Sequence, residues 1–548
     1  MKKTILAILC LLTVAGGALY AQDVQREYKV KQRYLNIPIY HEGDDTSLMF
    51  TAKGVDSLTV GLSIAQGEPD YWVYKDMSAY MGKKLKLTYA GKASDLDRMY
   101  FADTIMGQSQ FYKEKNRPQF HYSTRRGWTN DPNGLVYYNG EYHMYYQHNP
   151  FSIGWGNMTW GHAVSRDLVH WEELGDVLFP DRFGTMFSGC AVVDWKNTSG
   201  FGTKKCPAPI VYAYTTHADW QKQCIAYSLD NGRTLIKYSG NPVIDSHEAA
   251  GSHETRDPKV FWYGGEDGHW VMALFEKDGN SIYTSKDLIH WTYRSHQSGF
   301  DECPDLFCLP VDGNPDNMKW VTLGAAGIYM IGDFDGVKFT PQTGRHQYTL
   351  GTFYASQTFS DVPDGRRIQI AWGRLAHPGM AFHSQMQLPT ELTLVSTRDG
   401  VRLRSKPVKE VESLLHRAYT AEGPLNAEEA NKVLARFTDP AQGLHIKATM
   451  KLDAAAYIEL KMNGADVFTY SASYSLVNGK FYSTEDIAGL EFPFEIYIDR
   501  TGVEVFLDGG LYSFSQPLYC NGDSRLFTFQ GWALTLHDLE IDTVESIW

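Results

Sequence analysis

Strict alternation of apolar and polar positions runs through Ser57-Leu58-Thr59-Val60-Gly61-Leu62-Ser63-Ile64 and Leu85-Lys86-Leu87-Thr88-Tyr89. That is the period of a strand with one buried face, so an N-terminal set of short half-buried strands is predicted. Alternation returns in Phe494-Glu495-Ile496-Tyr497-Ile498 and Val503-Glu504-Val505-Phe506-Leu507, joined by the hairpin turn Asp499-Arg500-Thr501-Gly502. Between these regions the pattern repeats. Ala163-Val164-Ser165-Arg166-Asp167-Leu168-Val169-His170-Trp171 and Tyr283-Thr284-Ser285-Lys286-Asp287-Leu288-Ile289-His290-Trp291 are near copies. Ala226-Tyr227-Ser228-Leu229-Asp230-Asn231-Gly232-Arg233-Thr234 shares their strand, Ser, Asp and turn but lacks the Trp. Aromatic-rich strand-and-turn repeats predict propeller blades, and the span from Phe120 to Ser405 accommodates five at roughly 40 to 50 or more residues each. Helical spacing is confined to Val411, Leu414 and Leu415.

The expected architecture is all-β. Residues 22–112 form a small accessory β-sandwich-like domain, residues 113–407 a five-bladed β-propeller, residues 408–434 a helical or irregular linker, and residues 435–548 a C-terminal β-sandwich. Residues 1–21 read as a secretory signal: Met1-Lys2-Lys3, an apolar run from Ile5 to Ala15, and small residues before cleavage near Ala21. Export to the periplasm or the medium follows, and the apolar run is too short to serve as a membrane span.

A net charge of -13 argues against a nucleic-acid partner, which would require concentrated Lys and Arg. An aromatic content of 14% provides flat apolar faces on which sugars stack. Beyond Cys10 there are six cysteines, an even number in an exported chain, so a disulfide joining Cys206 to Cys190 or Cys224 is open. No CxxC or HExxH spacing occurs, and neither a catalytic metal nor another cofactor is expected.

The chemistry-bearing residues are acids next to proline. Trp128-Thr129-Asn130-Asp131-Pro132-Asn133-Gly134, Arg256-Asp257-Pro258 and Glu302-Cys303-Pro304 each put a carboxylate at what reads as a Pro-marked chain reversal. Each alone has a bland explanation: a turn, an Arg256–Asp257 ion pair, a surface acid before a strand. Together they supply the two carboxyl groups that glycosidic hydrolysis needs, with one to spare. Convergence of different blades on the axis of a propeller explains how positions so far apart in sequence can meet.

These motifs resemble glycoside hydrolase family 32, the invertases, inulinases and levanases. The resemblance extends through Tyr146-Gln147-His148-Asn149-Pro150, Trp155-Gly156-Asn157-Met158-Thr159-Trp160-Gly161-His162 and Phe187-Ser188-Gly189, and reaches the C-terminal Ile498–Phe506 pair of strands. It implies a propeller followed by a sandwich and retention of configuration at a β-fructofuranosyl carbon. It further implies Asp131 as nucleophile, Glu302 as general acid/base and Asp257 as stabiliser of the transition state. Asn130, Gln147, Trp155, Phe187, Ser188, Arg256 and Trp372 would surround the sugar. The N-terminal region lies outside the family core. The chain also departs from the family at Thr352, where many members carry an acid before Phe-Tyr-Ala, which leaves linkage preference open.

The expected substrate is therefore a fructan or fructo-oligosaccharide, linked β-2,6 or β-2,1, with sucrose as a further substrate and release of terminal fructose. Endo action and a non-catalytic fructan-binding protein are the alternatives. An inverting arabinan- or xylan-cleaving propeller is disfavoured by the Trp128 and Glu302 motifs. Oligomeric state is left open.

Overall fold

The computed structural model describes residues 23–245, 254–471, 476–477, 480–481, 491–520 and 522–548. The expected signal segment lies outside them. The N-terminal region packs two sheets on each other. One has the order Val24–Lys29, Lys84–Tyr89, Thr46–Ala52, Val55–Leu62, and the other Tyr71–Asp76, Tyr34–Ile39, Tyr100–Ala102. Alternation does its work here: Leu85, Leu87 and Tyr89 point inward with Leu48, Phe50, Ile37 and Val73, while the intervening Lys86 and Thr88 are only half-buried.

A five-bladed propeller follows. Its innermost strands are Gly127–Tyr138, Thr185–Val193, Thr255–Tyr263, Asp305–Val311 and Phe353–Thr358. The ring closes where Ser360, after the fifth inner strand, bridges in parallel to Val136 of the first and its carbonyl accepts the Tyr137 N–H at 2.9 Å.

The repeated motif has a structural explanation. In the first and third blades Asp167 and Asp287 each accept two backbone N–H groups, from Val169 and His170 and from Ile289 and His290. The indoles of Trp171 and Trp291 then donate to the carbonyls of Leu168 and Leu288, two residues held at positive φ. In the second blade Asp230 and Asn231-Gly232 build the turn without an indole. The repeat therefore fixes the turn between the third and fourth strands and carries no chemistry.

The C-terminal sandwich is organised by two long strands, Gly443–Met462 and Phe527–Val544, which pair antiparallel with register shifts between Lys447 and Thr449 and between Leu452 and Tyr457. Such bulges bend a ribbon, letting one strand pair serve both layers. Within residues 408–434, Lys409–Leu414 forms a short helical turn that buries Val411 and Leu414. Leu415–Thr420 pairs with Phe527–Val544 as part of the C-terminal sheet, and Ala427–Leu434 is a helix whose N-terminus is closed by reciprocal bonds between Asn426 and Glu429. The short strand is not legible in the sequence because His416, Arg417 and Thr420 interrupt any apolar alternation.

Propeller and sandwich are locked by a buried ionic centre. His121 lies between Asp499 and Glu504, each at 2.8 Å, and Asp499 also accepts the backbone N–H groups of Gln119 and Phe120. Burial favours the neutral imidazole, but the two carboxylates outweigh it and raise its pKa to about 9. The six described cysteines are all free thiols, so the disulfide considered from sequence is not formed. Cys190 instead packs in the core and accepts the Val260 N–H, while Cys206 sits beside the Tyr138 hydroxyl.

Candidate active site

Four of the five inner strands are irregular at the same end of the channel. Their registers shift between Thr129 and Pro132, Met186 and Gly189, Arg256 and Lys259, and Tyr354 and Gln357. Each shift marks a bulge, which re-aims side chains that a regular strand would send to one side or the other. Asn130-Asp131, Phe187-Ser188 and Asp257-Pro258 fall in these bulges. The expectation of chain reversals at Asp131 and Asp257 is therefore corrected: both are inside strands. Prolines 132 and 258 lack the N–H that a ladder would use, so they mark interrupted pairing rather than a turn. Asp257 itself takes φ 63°, held there by donation of its N–H to Thr215 Oγ1 at 3.0 Å.

The bulges bring the acids together. Asp131 Oδ2 accepts the Ser188 hydroxyl at 2.6 Å, and Oδ1 accepts the Asn130 amide at 3.0 Å. Cys303 lies between two of the carboxylates, its sulfur 3.6 Å from Asp131 Oδ2 and 3.4 Å from Asp257 Oδ2, and its N–H donates to Asp257 at 3.2 Å. Glu302, one residue earlier, receives Arg256 on Oε2 at 2.8 Å and the Tyr354 hydroxyl on Oε1 at 2.9 Å. The Arg256 guanidinium also stands 3.8 Å from Asp257 and pairs with Glu254.

Electrostatics follow from this crowding. Burial raises the pKa of Asp131, against which the Ser188 and Asn130 hydrogen bonds act, and the charge of Glu302 pushes it further up. Asp257 also moves upward, first by burial and then by the Glu302 charge, with Arg256 opposing and Asp131 adding. Burial and the same carboxylates keep the Cys303 thiol protonated, so it acts as a donor to them.

The walls are aromatic. Trp128 donates its indole N–H to Asn130 at 2.8 Å, stacks on His383 at 4.5 Å and meets the edge of Trp372 at 5.8 Å, and Tyr354 lies 6.3 Å beyond. Trp155 is 61% exposed and meets the ring of Phe187 edge-on, so core packing does not account for it. The Gln147 amide nitrogen and the Trp372 indole N–H are both buried with no hydrogen-bond partner among the described residues. A buried donor left unpaired is costly unless a ligand satisfies it. The ten residues singled out from sequence thus lie on the bulges, on the loop before the fourth inner strand, or on the adjacent strands and loop that wall them. Tyr354, Cys303 and Trp128 join them in the structure: Cys303 and Trp128 stand beside the acids within the sequence motifs, whereas nothing in the Phe-Tyr-Ala segment signals that Tyr354 reaches Glu302.

Thr352 explains its departure. It is buried, and its hydroxyl donates to Ser515 of the C-terminal sandwich at 2.8 Å, so this position joins domains.

Residues 121–407, the propeller, match the glycosyl hydrolases family 32 N-terminal domain. The chain belongs to this family. It is a glycoside hydrolase. Its sequence is 37% identical to a levanase of Bacillus subtilis over 495 residues, covering 80% of this chain and 72% of that protein. An extracellular exo-inulinase of Aspergillus niger is 32% identical, over 80% of this chain and 96% of the relative. The crystal structure of an exo-inulinase from Aspergillus awamori superposes with a TM-score of 0.68 at 28% identity, covering 80% of this chain and all of the other. The family match begins at residue 121, after the N-terminal sandwich.

Proposed function

We propose that this family 32 enzyme is an exported β-fructofuranosidase that removes terminal fructose from fructans with retention of configuration, and that it also accepts sucrose. The observation carrying this reading is the clustering of Asp131, Asp257 and Glu302 around Cys303 and Arg256, in a channel mouth lined by Trp128, Trp155 and Trp372. The relatives named as levanase and extracellular exo-inulinase support the substrate class, the removal of end units and the extracellular setting.

Asp131 is the nucleophile. Ser188 and Asn130 fix both its oxygens, so attack on the anomeric carbon costs little reorientation. Glu302, whose side chain is 30% exposed, is the general acid/base. It gives its proton to the glycosidic oxygen as the C–O bond breaks and Asp131 forms the fructosyl ester. It then takes a proton from the water that hydrolyses this ester. Asp257, aimed by Cys303 and Thr215, accepts hydrogen bonds from fructose hydroxyls, and these strengthen as the ring gains oxocarbenium character. Gln147 and Trp372 supply donors to the same sugar.

The experiment is incubation of the purified protein with levan, inulin and sucrose, with products separated at early times. Fructose alone from a fructan supports the reading and identifies the linkage. A ladder of oligosaccharides replaces it with endo action, and no product from any substrate removes it.

A further inference from the structure

The N-terminal sandwich precedes the family match, yet it is built into the mouth of the site at two places. The first is the loop between the second and third strands of the first blade, which carries Trp155. Phe151 of that loop is fully buried in the core of the N-terminal sandwich, with Ile153 packed beside it. The Ile153 N–H donates to the Tyr71 hydroxyl at 3.2 Å. Asn157, held at φ 45°, makes a reciprocal pair with the backbone of Gly61: its Oδ1 accepts the N–H at 2.8 Å and its Nδ2 donates to the carbonyl at 2.7 Å. In effect Asn157 extends the edge of an N-terminal strand, and the loop cannot move without breaking that pair.

The second place is the segment before His383. Ala381 packs on the same N-terminal core, and its carbonyl accepts the Gly127 N–H at 2.8 Å. His383, two residues on, stacks on Trp128, which in turn holds Asn130 against Asp131. Burial and the nearby charge of His41 lower the pKa of His383 to about 4, so the ring stacks in its neutral form. His41 is positioned by its N–H to Asp70 and by the Tyr71 ring, centroid to centroid 6.3 Å. The adjacent Tyr40 leaves 46% of its surface exposed. The N-terminal sandwich thus reaches both the Trp155 wall and the Trp128 wall.

We propose that the N-terminal sandwich forms the outer part of the substrate pocket, with Tyr40 and His41 contacting fructosyl units on the leaving-group side and Asn157 holding Trp155 in place. This rests on the fructan reading above. A tyrosine ring and an imidazole offer a stacking face and a hydrogen-bonding edge to a neutral polyol chain. Units beyond the cleaved sugar exist in long substrates and not in sucrose, whose leaving group is one hexose, so contacts made there discriminate the two.

The test uses the full chain and compares kcat/KM for a long fructan with kcat/KM for sucrose. In Tyr40→Ala and His41→Ala the fructan-to-sucrose ratio is expected to fall roughly three- to tenfold, the loss of an aromatic contact, through KM for the fructan. Asn157→Gly, which keeps the positive φ and removes the side-chain pair, is expected to raise KM for both substrates, because Trp155 borders the fructose they share. An active wild type whose Tyr40 and His41 variants keep its ratio or lose both activities equally, or whose Asn157 variant keeps its KM, overturns this inference alone. A wild type inactive on every fructoside overturns the parent reading and this inference with it.

Discussion

Arg256 meets Glu302 through both Nε and a terminal nitrogen at 2.8 Å, while standing 3.8 Å from Asp257. One guanidinium therefore orients the proposed acid and offsets the charge of the proposed transition-state stabiliser. Lys could supply the charge but not the planar two-nitrogen grip.

Replacing Arg256 by Gln is expected to lower kcat/KM by roughly 100-fold, the cost of losing one preorganised charged donor. The guanidinium opposes the upward shift of Asp257, so its loss raises that pKa further. Asp257 must be ionised to work, and the acid limb of the activity profile should move to higher pH. A pH–rate profile with an unchanged acid limb would argue against this coupling.

The same crowding stores instability. The folded pKa of Asp257 lies above its ordinary value of 3.8, so between the two the native state binds more protons than the unfolded chain. Its ionisation therefore weakens the fold as pH rises. Asp257→Asn is expected to melt at higher temperature than wild type at pH 7, with the gain vanishing as pH falls below 3.8. Thermal melts across pH measure this, and a variant less stable at every pH would contradict it.

His121 predicts the opposite flank. Its raised pKa of about 9, against 6.5 in the unfolded chain, contributes stability that is full below pH 6.5 and lost as pH climbs through 9. Asp499 has its pKa lowered because the His121 hydrogen bond overcomes burial, so its contribution is full above 3.8 and lost as pH falls below it. The two define a stability plateau between these limits. His121→Ala leaves two carboxylates buried without their cation and is expected to cost about 3–5 kcal/mol. Denaturant unfolding at neutral and alkaline pH checks both the size and the narrowing of the difference at pH 9.

Much of this fold is readable because the chain states it redundantly. Alternation at Leu85-Lys86-Leu87-Thr88-Tyr89 gives strands, and the Ser165–Trp171 and Ser285–Trp291 copies mark equivalent turns of two blades. What is not readable depends on partners. Leu415–Thr420 becomes a strand only because Phe527–Val544 runs beside it, and the bulges that aim Asp131 and Asp257 are properties of paired strands. A proline within an acid motif looks alike in sequence whether it turns the chain or interrupts a ladder. Cys190 and Cys206 could pair in principle, and only the fold shows that each is spent on packing.

The central claim is that Asp131 bonds covalently to the sugar and Glu302 transfers the protons. It is tested most directly by treating the Glu302→Gln variant with a fructosyl fluoride, whose leaving group needs no acid, and mapping the modified peptide by mass spectrometry. Without its base the variant should accumulate a fructosyl adduct on Asp131, while its turnover of fructan falls by roughly three or more orders of magnitude. An adduct on another residue, or rapid turnover of the fluoride to the inverted sugar with no adduct, would contradict the account.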